Sequence, residues 1–211
     1  MSPDDVSVGR KLLVLEARAA QRMRSAVRAT VTLGASDEGR MAAALVASVA
    51  RVSLDVRTNT RAAAAAQFSS STGVDVEPSG ASDKANALSA GRAYVRTWIK
   101  KLHAQEAQAG GATGGGGSSD DWNDARLAAQ PKLGRIAAWD VMHAWNDEHR
   151  RNAIARPAYA WKRVWCAYLD KHLCPACRGK HGAKLTDATP FAGWPPLHES
   201  CRCFVSTSVT V

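Results

Sequence analysis

Apolar positions in the first third of the chain recur at helical spacing. From Arg10 to about Thr32, Leu12, Leu15, Ala19, Met23, Ala26, Val27 and Thr30 form one stripe, and Arg18, Arg22 and Arg28 take the other sides, the pattern of an amphipathic helix. Gly34 and Ser36-Asp37 interrupt it, and Ser36 or Asp37 suits the N-cap of a second helix. That helix is expected from about Glu38 to Gln67, with Met41, Leu45, Val49, Val52 and Val56 buried. Its β-branched stretch from Val49 to Thr60 argues against one unbroken rod. Residues Ser69 to Ser82 hold turn formers without periodicity and read as a loop. A third helix is expected from Asp83 to about Gln108, with Leu88, Tyr94, Val95, Trp98 and Leu102 inward.

Residues 109–119, AGGATGGGGSS, carry too many glycines to order themselves and read as a flexible linker. Beyond them, Asp120 and Asp121 suit the start of a short helix through Trp122 and Leu127. Pro131 suits the first turn of a longer helix to about Arg151. In that helix Ala138, Met142, Trp145 and His149 share one face, with Ile136, Trp139 and His143 alongside, and Pro157 ends it. Trp161 to Tyr168 alternates as a strand, with Trp161, Arg163, Trp165 and Ala167 on one side and Lys162, Val164, Cys166 and Tyr168 on the other. The β-branched tail from Cys203 to Val211 is its natural partner. Alanine runs such as Ala62 to Ala66 favour helix while burying little area. Six of the seven tryptophans lie beyond residue 120, so the main core is expected there.

Charge points to a class of partner. The chain of 211 residues carries a net charge of +9, which attracts polyanions. The steepest imbalance runs from Arg150 to Lys184, where Arg150, Arg151, Arg156, Lys162, Arg163, Lys171, Arg178, Lys180 and Lys184 face only Asp170. Such a stretch is either a solvated face or a surface for the phosphates of double-stranded DNA. The first residues show no long apolar stretch after a basic start, so neither a signal peptide nor a membrane span is expected.

Cysteines supply the candidate chemistry. Cys174 and Cys177 form C-P-A-C, and His198, Cys201 and Cys203 form H-x-x-C-R-C. A two-residue gap lets a turn aim both thiols at one point, and C-x-C on extended chain places two thiols on one face. With His181 as a further candidate, these groups offer more than the four ligands a structural zinc ion takes. The first arrangement is Cys174, Cys177, Cys201 and Cys203; the second replaces one of the last pair with His198. A filled set of four leaves no position for a reacting water, which makes the metal structural. Cys166 reads as a small buried apolar residue. The fold class expected is a mainly α N-terminal half over residues 1–108, the linker 109–119, and a small α+β zinc-knuckle domain over 120–211. Enzyme templates fail: the sequence has no H-E-x-x-H, no G-x-S-x-G, no P-loop, and no H-x-E preceding P-C-x-x-C.

The block from Trp165 to Cys203 resembles the C-terminal domain of the phage Mu F-like head-morphogenesis family. Its elements stand here as Trp165, Asp170, Cys174-Pro175-Ala176-Cys177, His181-Gly182, Pro195-Pro196 and His198-Glu199-Ser200-Cys201-Arg202-Cys203. The segment Arg135 to Asn146 resembles the helix that precedes them, except that Trp139-Asp140 replaces a Thr-Glu pair common in the family. The likeness covers about residues 130–205; the N-terminal half matches only in helical character and length. The resemblance implies a non-enzymatic minor head protein of a tailed phage or prophage, associated with the portal protein, other head proteins and packaged DNA. Its place would be the head interior or portal vertex of the virion, and the host cytoplasm during assembly. The alternatives are a zinc-stabilised nuclease, a toxin-related enzyme, or a cellular zinc-knuckle nucleic-acid-binding protein. Only eight residues follow Cys203, which weighs against the toxin reading.

Overall fold

The computed structural model describes residues 3–34, 37–80, 83–108, 119–156, 160–167, 175–186, 193–198 and 201–209. Four long helices dominate: α1 (Pro3–Leu33), α2 (Glu38–Thr72), α3 (Lys84–Gln108) and α4 (Ser119–Ile154). After them come β1 (Trp161–Cys166), the four-residue helix α5 (Pro175–Arg178), β2 (Lys184–Leu185) and β3 (Phe204–Val209). No helix among the described residues is long and apolar enough to cross a membrane. The expected linker lies outside the described residues except Ser119, which already belongs to α4.

The helix ends follow local chemistry. Gly34, at a φ of 71° that favours glycine, closes α1 with its N–H donating to Val31 O. Asp37 Oδ1 accepts from Arg40 N at 2.8 Å and so caps α2. The β-branched stretch does not break α2, which continues through Ser69 to Thr72 and stops at Gly73, φ 69°. α4 is a single helix where two were expected, with Pro131 inside it. Pro131 and Leu127 are both exposed, so the carbonyl that loses its helical donor sits on the solvent side, where the loss is best tolerated.

The chain forms two compact units that cut across the boundary expected at residues 109–119. Unit 1 comprises Met1–Glu16, Val56–Ala81 and Ala138–Val211; unit 2 comprises Ala17–Asp55 and Ser82–Ala137. Unit 2 is helical and has a full core of its own. Met23 and Val27 of α1, Met41, Leu45 and Val49 of α2, Tyr94, Trp98 and Leu102 of α3, and Trp122 and Leu133 of α4 are all buried there. The core is therefore not confined to the tryptophan-rich C-terminal half. In α3 the buried row is Ala87, Gly91, Tyr94, Val95, Trp98 and Leu102. Leu88, expected inward, is 44% exposed. Small residues fill its place because the backbones approach closely: a Cβ added at Gly91 would lie 2.5 Å from Val46 O.

Unit 1 holds the antiparallel sheet, in the order β2-β1-β3. β1 pairs β3 from Trp161↔Val209 to Cys166↔Phe204, and β2 at Arg163↔Leu185 and Val164↔Lys184. The expected pairing of strand and tail is thus present. The outer edge of β3 is bonded by side chains. Val205 N donates to Asn146 Oδ1 at 2.8 Å, Asn146 Nδ2 donates to Cys203 O at 3.1 Å, and Ser71 Oγ donates to Thr207 O at 3.2 Å. An edge strand is a template for unwanted pairing, and here these groups occupy its backbone sites.

Candidate metal centre

Three of the predicted ligands come together in unit 1. Cys177 Sγ lies 3.5 Å from Cys201 Sγ and 3.5 Å from His198 Nε2, and the ligand atoms of all three lie within 4.8 Å of one another. Around a tetrahedral ion with bonds of about 2.3 Å to sulfur and about 2.0 Å to nitrogen, neighbouring sulfurs lie about 3.8 Å apart and sulfur to nitrogen about 3.5 Å. Two thiols and an imidazole at these separations could hold a metal ion.

Local structure explains the convergence. Pro175 opens α5, where its missing N–H costs nothing, and Cys177 follows within the same turn. The chain then folds back: Lys180 N donates to Cys177 O, Gly182 takes a φ of 83°, and Gly182 N donates to Trp165 O at 2.8 Å. That last bond, with Trp165 N donating to Ala183 O, fastens the turn to β1. On the other side, Cys201 N donates to His198 O at 3.0 Å, a turn that brings His198 and Cys201 to one place. Trp165, Trp194, Ala167, Leu185 and Val205 pack with the thiols of Cys177, Cys201 and Cys203 in one apolar cluster. Cys177 and Cys201 are 1% and 2% exposed, while His198 is exposed.

Cys203 stands outside the group of three. Its hydrogen bond to Cys201 pulls the Cys201 thiol down to about 5 against the opposing effect of burial. The same bond, with burial, pushes Cys203 up. Among the described residues, the donors that come together are thus Cys177, His198 and Cys201, with the Cys203 thiol bonded to Cys201 and Cys177 beside them. Cys174 lies outside the described residues. His181 is engaged elsewhere, its Nδ1 accepting from Ala167 N at 3.1 Å. Cys166 is buried, as expected.

The basic stretch separates into different environments. Lys162, Arg178, Lys180 and Lys184 are exposed, with Lys180 Nζ 5.5 Å from the centre of the Trp165 ring. Lys171 lies outside the described residues, and Arg150 is half-buried. Arg151 donates to Asp147 Oδ2 at 2.8 Å, and Arg156 reaches Asn152 and Asp75 O. Arg163 does not serve as a phosphate contact, being 3% exposed. Alternation along β1 turns it inward with Trp165, and its guanidinium lies 5.6 Å from the Trp194 ring centre.

Sequence reading missed a buried ionic network in the same unit. Arg57, fully buried on α2, donates to Asp140 Oδ1 at 2.9 Å and lies 3.0 Å from His143 Nδ1. One turn on, Arg61 pairs with Asp147 at 2.8 Å and Glu148 at 3.3 Å. Glu148 also accepts from Ser79 N, Ser79 Oγ and Asn152 Nδ2 at 2.8, 2.5 and 3.0 Å. Burial pushes the Asp147 carboxyl up, but hydrogen bonds from Arg151 and Arg61 outweigh it and hold the group below its usual range. The available signal was two arginines four apart beside the apolar stripe of α2, matched by Asp140 and Asp147-Glu148 on α4. Asp140, half of the departing Trp139-Asp140 pair, is therefore a buried counter-ion.

Comparison of the chain with protein families, with curated proteins and with solved structures found no match.

Proposed function

We propose that this chain is a non-enzymatic minor head protein of a tailed phage or prophage, and that its C-terminal unit is clamped by a structural zinc ion. The observation that supports the clamp is the donor set of Cys177, His198 and Cys201, at separations suited to a tetrahedral ion. Cys174, one residue before α5, is the natural fourth ligand on spacing. Zinc supplies no reaction in this reading. It binds the turn after β1 to the segment before β3, and the Cys203 thiol supports the Cys201 thiolate. The head-protein reading rests on the ordered motifs between Trp165 and Cys203. The exposed Lys162, Arg178, Lys180 and Lys184 provide sequence-independent contacts to packaged double-stranded DNA.

Elemental analysis of the purified chain is expected to find about one zinc per chain, as a single four-ligand site requires; its absence would remove the clamp. Co-expression with the portal protein encoded beside it should yield a portal ring that retains the chain through size exclusion. Failure to co-purify, with zinc bound and the fold intact, counts against the head-protein reading alone. DNA binding should weaken steeply with salt, and replacing Arg178, Lys180 and Lys184 together should reduce the slope of log K against log salt by about 3. Metal-dependent DNA cleavage lost on His198→Ala would instead favour the nuclease.

A further inference from the structure

Unit 2 carries a basic groove of its own. Between Lys84 and Gln105, α3 holds Lys84, Arg92, Arg96, Lys100 and Lys101 and not one carboxylate. Arg92, Arg96 and Lys100 recur every fourth residue, so the helix repeat puts them on one side of α3, about 6 Å apart along its axis. All three are exposed. Among the described residues none of them pairs with a carboxylate, whereas Arg22 and Arg40 of the same unit pair with Asp55 and Asp37. α4 brings a further cation to this place. Its Lys132 joins Arg96 and Lys100, with Ala93, Thr97 and Ile99, in lining a cleft of about 420 Å³. The acids nearest to Lys132 along α4 are Asp124 and Asp140, two helical turns away on either side.

The lining selects a partner by exclusion. Three cations and no acid attract an anion and repel a cation. Among the described lining residues there is no aromatic side chain, so the unstacked bases of a single strand find no platform. Ile99 is the one sizeable apolar side chain there, too little for the buried anchor that a protein partner needs. Thr97 Oγ1 donates to Ala93 O at 3.2 Å, so that hydroxyl is used within the helix and the cations carry the polar chemistry. A regular row of cations suits a regular row of anions, and duplex DNA presents a phosphate about every 3.4 Å along each strand.

We infer that the α3–α4 groove of unit 2 binds the phosphate backbone of double-stranded DNA, with Arg92, Arg96, Lys100 and Lys132 as its contacts. This surface shares no residue with Lys162, Arg178, Lys180 and Lys184, and it requires neither zinc nor the head-protein role. Binding of the full chain to a fluorescent duplex is measured by anisotropy across a salt series. Arg92→Gln, Arg96→Gln and Lys100→Gln together change only exposed side chains and should lower the slope of log K against log salt by about 3. Lys132→Gln, made alone so that a folding defect there leaves the α3 result standing, should lower it by about 1. A control removes the same charge elsewhere in unit 2, at the exposed Arg18, Arg24 and Arg28 of α1, and should leave the slope nearly unchanged. The single strand of the same sequence, poly-glutamate, and vesicles of phosphatidylcholine and phosphatidylserine in equal parts should each bind more weakly than the duplex. An equal fall in the control shows attraction by net charge alone and overturns the inference. So does an unchanged slope in the α3 variant, or tighter binding to any of the other three anions. Co-purification with the portal moves with none of these results, so the head-protein reading is judged apart from them.

Discussion

His149 makes the stability of unit 1 depend on mild acid. Its ring lies between Trp145 and Phe68, with centres 5.1 and 5.7 Å away, and burial lowers its pKa from 6.5 to about 4. The unfolded chain takes up a proton at about 6.5, while the folded chain resists until about 4. The folded state is therefore fully favoured above pH 6.5 and loses ground as pH falls from there towards 4. A difference of about 2.5 pKa units corresponds to about 3 kcal/mol, spread over that window at no more than about 1.4 kcal/mol per pH unit. Urea denaturation followed by circular dichroism, from about pH 7.5 to about 4.5, should show this slope in the native chain and not in His149→Phe or His149→Gln. Glu148, the neighbouring Lys162, His181 and Cys166, and the metal donors are common to all three proteins, so their contributions cancel in the difference. Asp147 acts in a separate window: its depressed carboxyl gives stability that is lost only as pH falls below the unfolded value of 3.8. If native and variant stabilities fall in parallel between pH 6.5 and 4, the assignment of this acid sensitivity to His149 is wrong.

With the proposed zinc bound, Cys177→Ser and Cys201→Ser should each lose it and lower the stability of unit 1, whereas Cys203→Ser should retain metal with reduced affinity, by about ten- to a hundredfold for a supporting group; competition with a chromogenic chelator measures all three. Arg57→Ala leaves the 1% exposed Asp140 as a buried charge without its arginine and should cost about 3–5 kcal/mol in chemical denaturation, while Arg57→Leu with Asp140→Leu should cost less. Gly91→Ala should destabilise unit 2 by about 1–3 kcal/mol, although alanine favours helix by about 1 kcal/mol, because the added Cβ meets Val46 O at 2.5 Å; a raised melting temperature would contradict this.

Periodic signals in the sequence were the ones that survived folding. Met41, Leu45, Val49, Val52 and Val56 are all buried, because large apolar residues at regular spacing leave a helix one face to hide. The alternation of Trp161 to Ala167 and the β-branched tail likewise gave the β1–β3 pair. Leu88 failed because size was taken as the guide to the buried side of α3, where close backbone approach requires Ala87 and Gly91. Pro131 failed because a local rule about helix starts was outweighed by the buried residues on both sides of it, among them Trp122, Leu133 and Trp145. At the candidate metal centre, spacing put Cys174, Cys177, Cys201 and Cys203 first and His198 second, whereas the group brought together is Cys177, His198 and Cys201. That choice depends on a three-dimensional relation, the contact of Cys203 with Cys201 within the tryptophan cluster.

The division of the chain bears on the order in which its parts can be completed during synthesis. Every segment of unit 2 lies between Ala17 and Ala137, so all of its residues are present once α4 is half made. Unit 1 draws on Met1–Glu16 and Val56–Ala81 but also needs Ala138–Val211. Arg57 and Arg61 have no counter-ions until Asp140, Asp147 and Glu148 of α4 are made, and β1 has no β3 to pair with until some forty residues later still. Domains tend to mature as units while the chain emerges; here Met1–Glu16 is made before unit 2 and finds its place after it.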